Sequence, residues 1–135
     1  ELHGVHRIIC ANRQMMDELV YNLCDNAIRY NNPGGRVDIT VDAAVAFDKT
    51  AETGATIIEV KDTGIGISKE HQERIFERFY RVDKIRSKST GGTGLGLAIV
   101  KHIVAAHKNA SLSLTSEPGK GTCIRVDFKM KTNLE

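Results

Sequence analysis

Apolar residues return along this chain with two periods, and the change from one to the other marks its elements. Met16, Leu19, Val20, Leu23, Cys24 and Ala27 recur every three or four positions and predict the buried face of a helix from about Arg13 to Tyr30. Asn12 stands where a cap is expected, and Asn32-Pro33-Gly34-Gly35 stops the pattern. From Arg36 to Val45 the period shortens to two, with Val37, Ile39 and Val41 on one face and Asp38, Thr40 and Asp42 on the other. Phe47 to Gly54 reads as a hairpin loop and Thr56 to Lys61 as the returning strand. Val5 to Cys10 reads as a short opening strand, and Ser68 as the cap of a short helix over Lys69 to Phe76. Leu95 to His107, rich in Leu97, Ile99, Val100, Ile103 and Val104, predicts a second long helix. Ala110 to Ser116 and Thr122 to Lys129 form a closing hairpin around Glu117-Pro118-Gly119-Lys120-Gly121.

The resulting order is β-α-β-β-α-α-β-β. Paired strands with helices between them predict an α+β fold: a two-layer sandwich with a mixed, mostly antiparallel sheet and helices packed on one face. At 135 residues the chain has the size of one domain, 1–135. Arg81 to Thr93 has many charges and little periodicity, and is expected to be a mobile loop.

Composition adds exclusions. Lysines and arginines number 19 against 17 acids, which leaves no footprint for nucleic acid. The basic residues nevertheless crowd at Arg74, Arg78, Arg81, Lys84, Arg86 and Lys88, either as a solvated surface or as a site for a polyanion. Cys10, Cys24 and Cys123 are few, odd in number and lack ligand spacing, so we read them as buried, reduced thiols of a cytosolic protein. No apolar run approaches the roughly 20 residues needed to span a bilayer.

Four groups of residues carry candidate chemistry. Asn22, Asn26 and Arg29 are spaced four and three apart and share one stripe of the first helix. Amide oxygens suit Mg²⁺ and a guanidinium suits phosphate, while a plain solvated helix face is the competing reading. Gly91-Gly92-Thr93-Gly94-Leu95-Gly96-Leu97 runs straight into the second helix, as a phosphate cradle does and as a simple loop also does. It lacks the preceding strand of a Rossmann fingerprint and the Gly-Lys-Ser/Thr of a P-loop. Asp62, at a strand end beside two glycines, can accept from an exocyclic amine or simply start a turn. Gly119 to Thr122 is equally open between a ligand loop and a hairpin turn. Phe76, Phe79 and Tyr80 read as a small core cluster or as an anchor for the charged loop, and the five histidines form no ligand pair.

Taken in order, these segments resemble the ATP-binding catalytic domain of sensor histidine kinases, in the superfamily that includes gyrase, Hsp90 and MutL ATPase domains. Asn22-x-x-x-Asn26-Ala27-x-Arg29-Tyr30 is similar to the N box and Asp62-Thr63-Gly64-Ile65-Gly66-Ile67 to the G1 box. Ile75-Phe76-Glu77-Arg78-Phe79-Tyr80-Arg81 resembles the F box, Gly92-Thr93-Gly94-Leu95-Gly96-Leu97 the G2 box, and Gly119-Lys120-Gly121-Thr122 the last glycine box. The resemblance covers nearly the whole chain and implies a Bergerat-type fold. It also implies roles. Asn26 would ligate Mg²⁺ with Asn22 in support, Arg29 would contact phosphate where the family usually has Lys or His, and Tyr30 would pack near the adenine. Asp62 would accept the adenine N6–H, with Gly64, Gly66 and Ile67 letting the ring approach. Residues from about 80 to 93 would form an ATP lid carrying Arg81 to the phosphates. Thr93, Gly94, Leu95, Gly96, Leu97 and Thr122 would complete the nucleotide site. ATP and Mg²⁺ are thus the implied cofactors.

Related hydrolases carry Glu at the first N-box position, where this chain has Asn22, and an amide cannot serve as a general base at neutral pH. The resemblance therefore implies phosphoryl transfer to a protein histidine with little hydrolysis. The expected acceptor lies on a separate dimerisation domain, since no His here is followed by an acid and no long helical hairpin is present. A response regulator is then an indirect partner, the fragment a monomer, and its place the cytoplasmic part of a membrane-anchored sensor. Ala11-Asn12 departs from the common Gly-Asp before the helix. The rival readings are a protein serine kinase of the anti-sigma-factor type, which the F box disfavours, and a nucleotide-free pseudokinase, which the intact Asn26, Asp62 and glycine set disfavours. A glycine-rich dinucleotide enzyme, binding NAD, is a third.

Overall fold

Asn12 opens the first helix as expected, its side-chain oxygen accepting the Met15 N–H at 3.0 Å. The computed structural model describes residues 1–4, 9, 11–44, 55–80 and 95–129. In chain order these form β1 (Leu2–Gly4), α1 (Arg13–Arg29), β2 (Val37–Ala44), β3 (Ala55–Asp62), α2 (Lys69–Gln72), α3 (Gly96–Ala106), β4 (Ala110–Glu117) and β5 (Gly121–Lys129). The strands make one sheet in the order β1-β2-β3-β5-β4, parallel between β1 and β2 and antiparallel elsewhere.

Alternation along the strands decides which face the helices cover. Register places Ile39, Val60, Ile124 and Leu114 side by side across four strands, and likewise Val41, Ile58, Val126 and Leu112. Leu19, Leu23 and Ala27 of α1 and Val100, Ile103 and Val104 of α3 close over these rows to form the core. The opposite face carries Asp38, Glu59, Lys61, Arg125 and Asp127, and no described helix packs on it.

His107 clasps the two long helices together. Its Nδ1–H donates to the Ile103 carbonyl at 2.8 Å and its Nε2 accepts the Asn12 N–H at 3.2 Å, so the start of α1 is tied to the end of α3. Its ring meets Phe128 edge-on at 6.4 Å. Among the described residues no helix is long and apolar enough to cross a membrane.

Several local expectations are corrected. The opening strand is Leu2–Gly4, whereas Ile9 belongs to no strand and the remainder of the Val5 to Cys10 segment lies outside the described residues. Its position follows from pairing, with Leu2, His3 and Gly4 opposite Ile39, Thr40 and Val41, which local apolarity does not report. α2 stops at Gln72, short of Phe76, and Ser68 makes no capping bond. So short a helix is held by outside ties, here the Gln72 amide to the Ile67 and Ser116 carbonyls. Phe79 is not a core residue. It is 69% exposed, because its left-handed backbone (φ 64°) breaks the spacing that would set it beside Phe76. Val20 lies at the rim of the apolar face, 36% exposed. Cys24 and Cys123 are half-buried and Cys10 lies outside the described residues. Burial and the neighbouring Glu59 push the Cys123 thiol up to about 11, so it stays protonated and unreactive at neutral pH.

Leu23 is 1% exposed inside this core. Leu23→Ala should cost about 2–5 kcal/mol of unfolding free energy, and Val20→Ala less than about 1 kcal/mol, as read from urea unfolding midpoints.

Candidate functional site

The inward-facing rows of the sheet change character at one end. The middle positions of these rows are apolar, and at one end Asp62, Thr122 and Ser116 stand side by side in register. Period-two geometry points all three toward the helix layer, so the gap between sheet and helices is apolar in the middle and polar at this end. Asp62 and Thr122 are each only 6% exposed.

A carboxylate buried to this degree needs donors. Asp62 Oδ1 accepts the Gly64 N–H at 2.9 Å and the Thr122 N–H at 3.2 Å. Its other oxygen has no hydrogen-bond partner among the described residues. Burial pushes the carboxyl above the ordinary carboxylate range, against the opposing pull of those two N–H groups.

The turn after Asp62 is pressed on the end of α1. Tyr30, the C-cap, offers its carbonyl to the Ile65 N–H at 3.2 Å. Gly64 is required there, because a Cβ on it would lie 2.2 Å from the Tyr30 oxygen and 2.9 Å from Asp62 Oδ1. Gly66 takes a left-handed backbone (φ 71°) against the Glu117 carbonyl, where a Cβ would come within 2.1 Å. Beyond it the Ile67 N–H donates to Ser116 Oγ at 2.8 Å, and the Gly119 N–H donates to the Ile65 carbonyl at 2.9 Å.

The amide stripe of α1 joins this end of the sheet to α3. Asn22 Nδ2 donates to the Glu18 carbonyl at 2.8 Å, and a Cβ built on Gly96 would stand 3.3 Å from Asn22 Oδ1. One turn on, Asn26 is half-buried and its amide has no hydrogen-bond partner among the described residues. Another turn on lies Tyr30 beside the Asp62 turn. At about 1.5 Å of rise per residue, these positions span about 12 Å of helix. Arg29 Nε pairs with Asp25 Oδ2 at 2.7 Å, the residue one turn before it on the same helix.

The structure therefore brings Tyr30, Asp62, Gly64, Gly66, Ile67 and Thr122 together, and Asn22 against Gly96. Leu95 and Leu97 sit at the start of α3, where the Leu95 carbonyl accepts the Ile99 N–H and Leu97 packs on the core. Arg81, Thr93 and Gly94, with all of the expected lid of about 80 to 93 except Tyr80, lie outside the described residues. Sequence reasoning missed Ser116, Gln72 and Asn31. Asn31 binds the Arg36 carbonyl and the Thr63 hydroxyl and so locks the loop after α1 to the Asp62 turn. A signal for Ser116 existed, since Ala110, Leu112 and Leu114 are apolar at the preceding inward positions of its strand.

Comparison with known proteins agrees with this geometry. Residues 11–132 match the family described as histidine kinase-, DNA gyrase B- and HSP90-like ATPase. The chain is 49% identical over 117 residues to the sensor histidine kinase RppB of Synechocystis, a match covering 87% of this chain and 24% of that protein. It is 52% identical over 103 residues to the sensor-like histidine kinase SenX3 of Mycolicibacterium smegmatis, covering 76% of this chain and 24% of that one. Among solved structures, the mycobacterial sensor histidine kinase MprB superposes with a TM-score of 0.73 at 26% identity, over 96% of this chain and 79% of that chain. The chain thus spans about a quarter of the length of its two relatives. It belongs to the histidine kinase-, DNA gyrase B- and HSP90-like ATPase family, and the relatives it resembles within that family are sensor histidine kinases.

Proposed function

We propose that this chain binds Mg-ATP between α1, the Asp62 turn and the start of α3, and donates the γ-phosphoryl group to a histidine on a separate dimerisation domain of its parent sensor kinase. The observation that carries the reading is the arrangement at one end of the sheet. A buried carboxylate sits there with one oxygen uncommitted among the described residues, and the Asn26 amide, likewise without a partner among them, lies one turn of α1 before Tyr30.

Asp62 reads the exocyclic amine of adenine, because an ionised carboxylate accepts and a keto group at the same place would face a second acceptor. Gly64 and Gly66 let the turn close on the Tyr30 and Glu117 carbonyls and so fix the carboxylate, and Thr122 lies next to it. Toward the phosphates, the Asn26 amide fits Mg²⁺: it is a hard neutral oxygen, half-buried and otherwise unused, and phosphates and water complete such a shell. The bound ion would supply charge neutralisation for the transferring phosphoryl group. Asn22 holds the neighbouring position with an oxygen near Gly96 and supplies no base for water. Arg29 and Arg81 are the cations assigned to phosphate oxygens, and the residues of about 80 to 93 are the lid. Catalysis then rests on positioning and charge, with the acceptor imidazole brought by the other domain. The parent passes the phosphoryl group to a response regulator, with this domain on the cytoplasmic side of an anchored sensor.

The decisive experiment mixes this chain with the dimerisation hairpin of its parent and γ-labelled ATP. Label on the hairpin that survives base and is lost in acid marks phosphohistidine, and its absence, or acid-stable phosphoserine, overturns the reading. Asp62→Asn keeps both backbone N–H bonds but turns the uncommitted acceptor into a donor, so calorimetry should show ATP affinity reduced at least tenfold. Asn26→Ala should remove the gain in affinity that Mg²⁺ confers while sparing ATP binding in EDTA. The raised Asp62 pKa sets a sign for pH. Its protonated form favours the folded chain, so its stabilising contribution is full below the ordinary value of 3.8 and is lost as pH rises through the folded-state value. ATP affinity, which needs the ionised form, should fall on acidification, beginning above pH 3.8.

A further inference from the structure

Ser116 sits one strand beyond Thr122 and meets the site only through Ile67 and Thr122. Its Oγ lies 2.8 Å from the Ile67 nitrogen, 3.0 Å from the Gly121 carbonyl oxygen and 2.8 Å from Thr122 Oγ1. A hydroxyl has one proton to give and two lone pairs. The Ile67 N–H only donates, so it takes one lone pair. The Gly121 carbonyl only accepts, so it takes the proton. The remaining lone pair faces Thr122, whose own proton must then point at Ser116.

Thr122 is thereby committed as a donor toward the sheet edge, and only lone pairs are left to face the helix side. Its backbone N–H is already given to Asp62 Oδ1. The two neighbouring groups at the end of the sheet, the Asp62 carboxylate and the Thr122 hydroxyl, therefore present acceptors together. Gln72 stiffens the arrangement by donating its amide to the Ile67 carbonyl at 2.8 Å and the Ser116 carbonyl at 3.1 Å.

We infer that Ser116 is a positioning residue for nucleobase specificity: by holding the Thr122 proton away from the pocket, it makes this end of the site read a purine bearing an amine, and reject one bearing an oxo group, at its six position. This rests on the assignment of Asp62 and Thr122 to the base, and deepens it.

The test compares Mg-ATP with Mg-ITP, the six-oxo counterpart, by calorimetry on the whole chain. In Ser116→Ala the Thr122 hydroxyl is free to turn and donate to the six-oxo group. The ATP-to-ITP affinity ratio should fall roughly tenfold, and Ser116→Thr, which restores a hydroxyl, should recover most of it. A purely structural role would weaken both nucleotides alike and leave the ratio unchanged, and that result overturns the inference. Should Ser116→Ala melt below the assay temperature, Ser116→Cys, similar in size and a weaker donor, carries the same comparison. Asp62→Asn serves as the control: if the unsubstituted chain binds ATP and Asp62→Asn does not, the base-binding assignment stands whatever Ser116 does. If Asp62→Asn binds ATP unchanged, that assignment fails first.

Discussion

A carboxylate placed at the buried end of a β-sheet imposes conditions on everything around it. Asp62 must find donors to offset lost hydration, and it finds them in the Gly64 and Thr122 N–H groups. The first bond folds the chain into a tight turn, which brings that turn onto the Tyr30 carbonyl and excludes any side chain at position 64. The second bond ties β3 to the start of β5, so the last hairpin and the turn move as one unit. Tyr30, the Asp62 turn and the glycine-rich hairpin therefore owe their common location to one ionisable group.

The rest of the sheet offsets what this end gives up. Asp62, Thr122 and Ser116 contribute little apolar burial, yet they occupy inward positions that in the middle of the sheet hold Ile, Val or Leu. Cohesion comes from the adjoining rows under α1 and α3, and from the His107 clasp at the far ends of those helices. A stable middle and a polar, desolvated end suit the proposed role, in which Asp62 and its neighbours hold fixed positions toward a ligand. The ionised Asp62 opposes folding at neutral pH, which is the usual relation between a functional group and the stability of its scaffold.

Helix α1 links the two halves of the proposed chemistry. Asn22 touches Gly96 at the start of α3, Tyr30 touches the Asp62 turn, and Asn26 lies between them. In the proposed reading, one rigid helix thus spaces a phosphate-side amide from a base-side carboxylate. An amide at position 22 also leaves the described residues of that stripe without a group to deprotonate water, in keeping with transfer to an acceptor on another domain.

Much of this was legible in the residue pattern, because it depends on local periodicity. The long helices, the strands from Val37, Ala55, Ala110 and Gly121, and the covered face of the sheet follow from periods of 3.6 and two, which each segment carries in itself. The order of the N, G1, F and G2 boxes likewise pointed to the family. The pairing of β1, the exposure of Phe79 and the place of Ser116 were settled only in three dimensions. Each depends on a residue distant in sequence, or on a backbone angle that composition does not report. Sequence alone showed a serine ending an apolar strand, but only the register of β4 against β5, and the Ile67 N–H approaching from 49 residues away, decided where that serine's single proton goes.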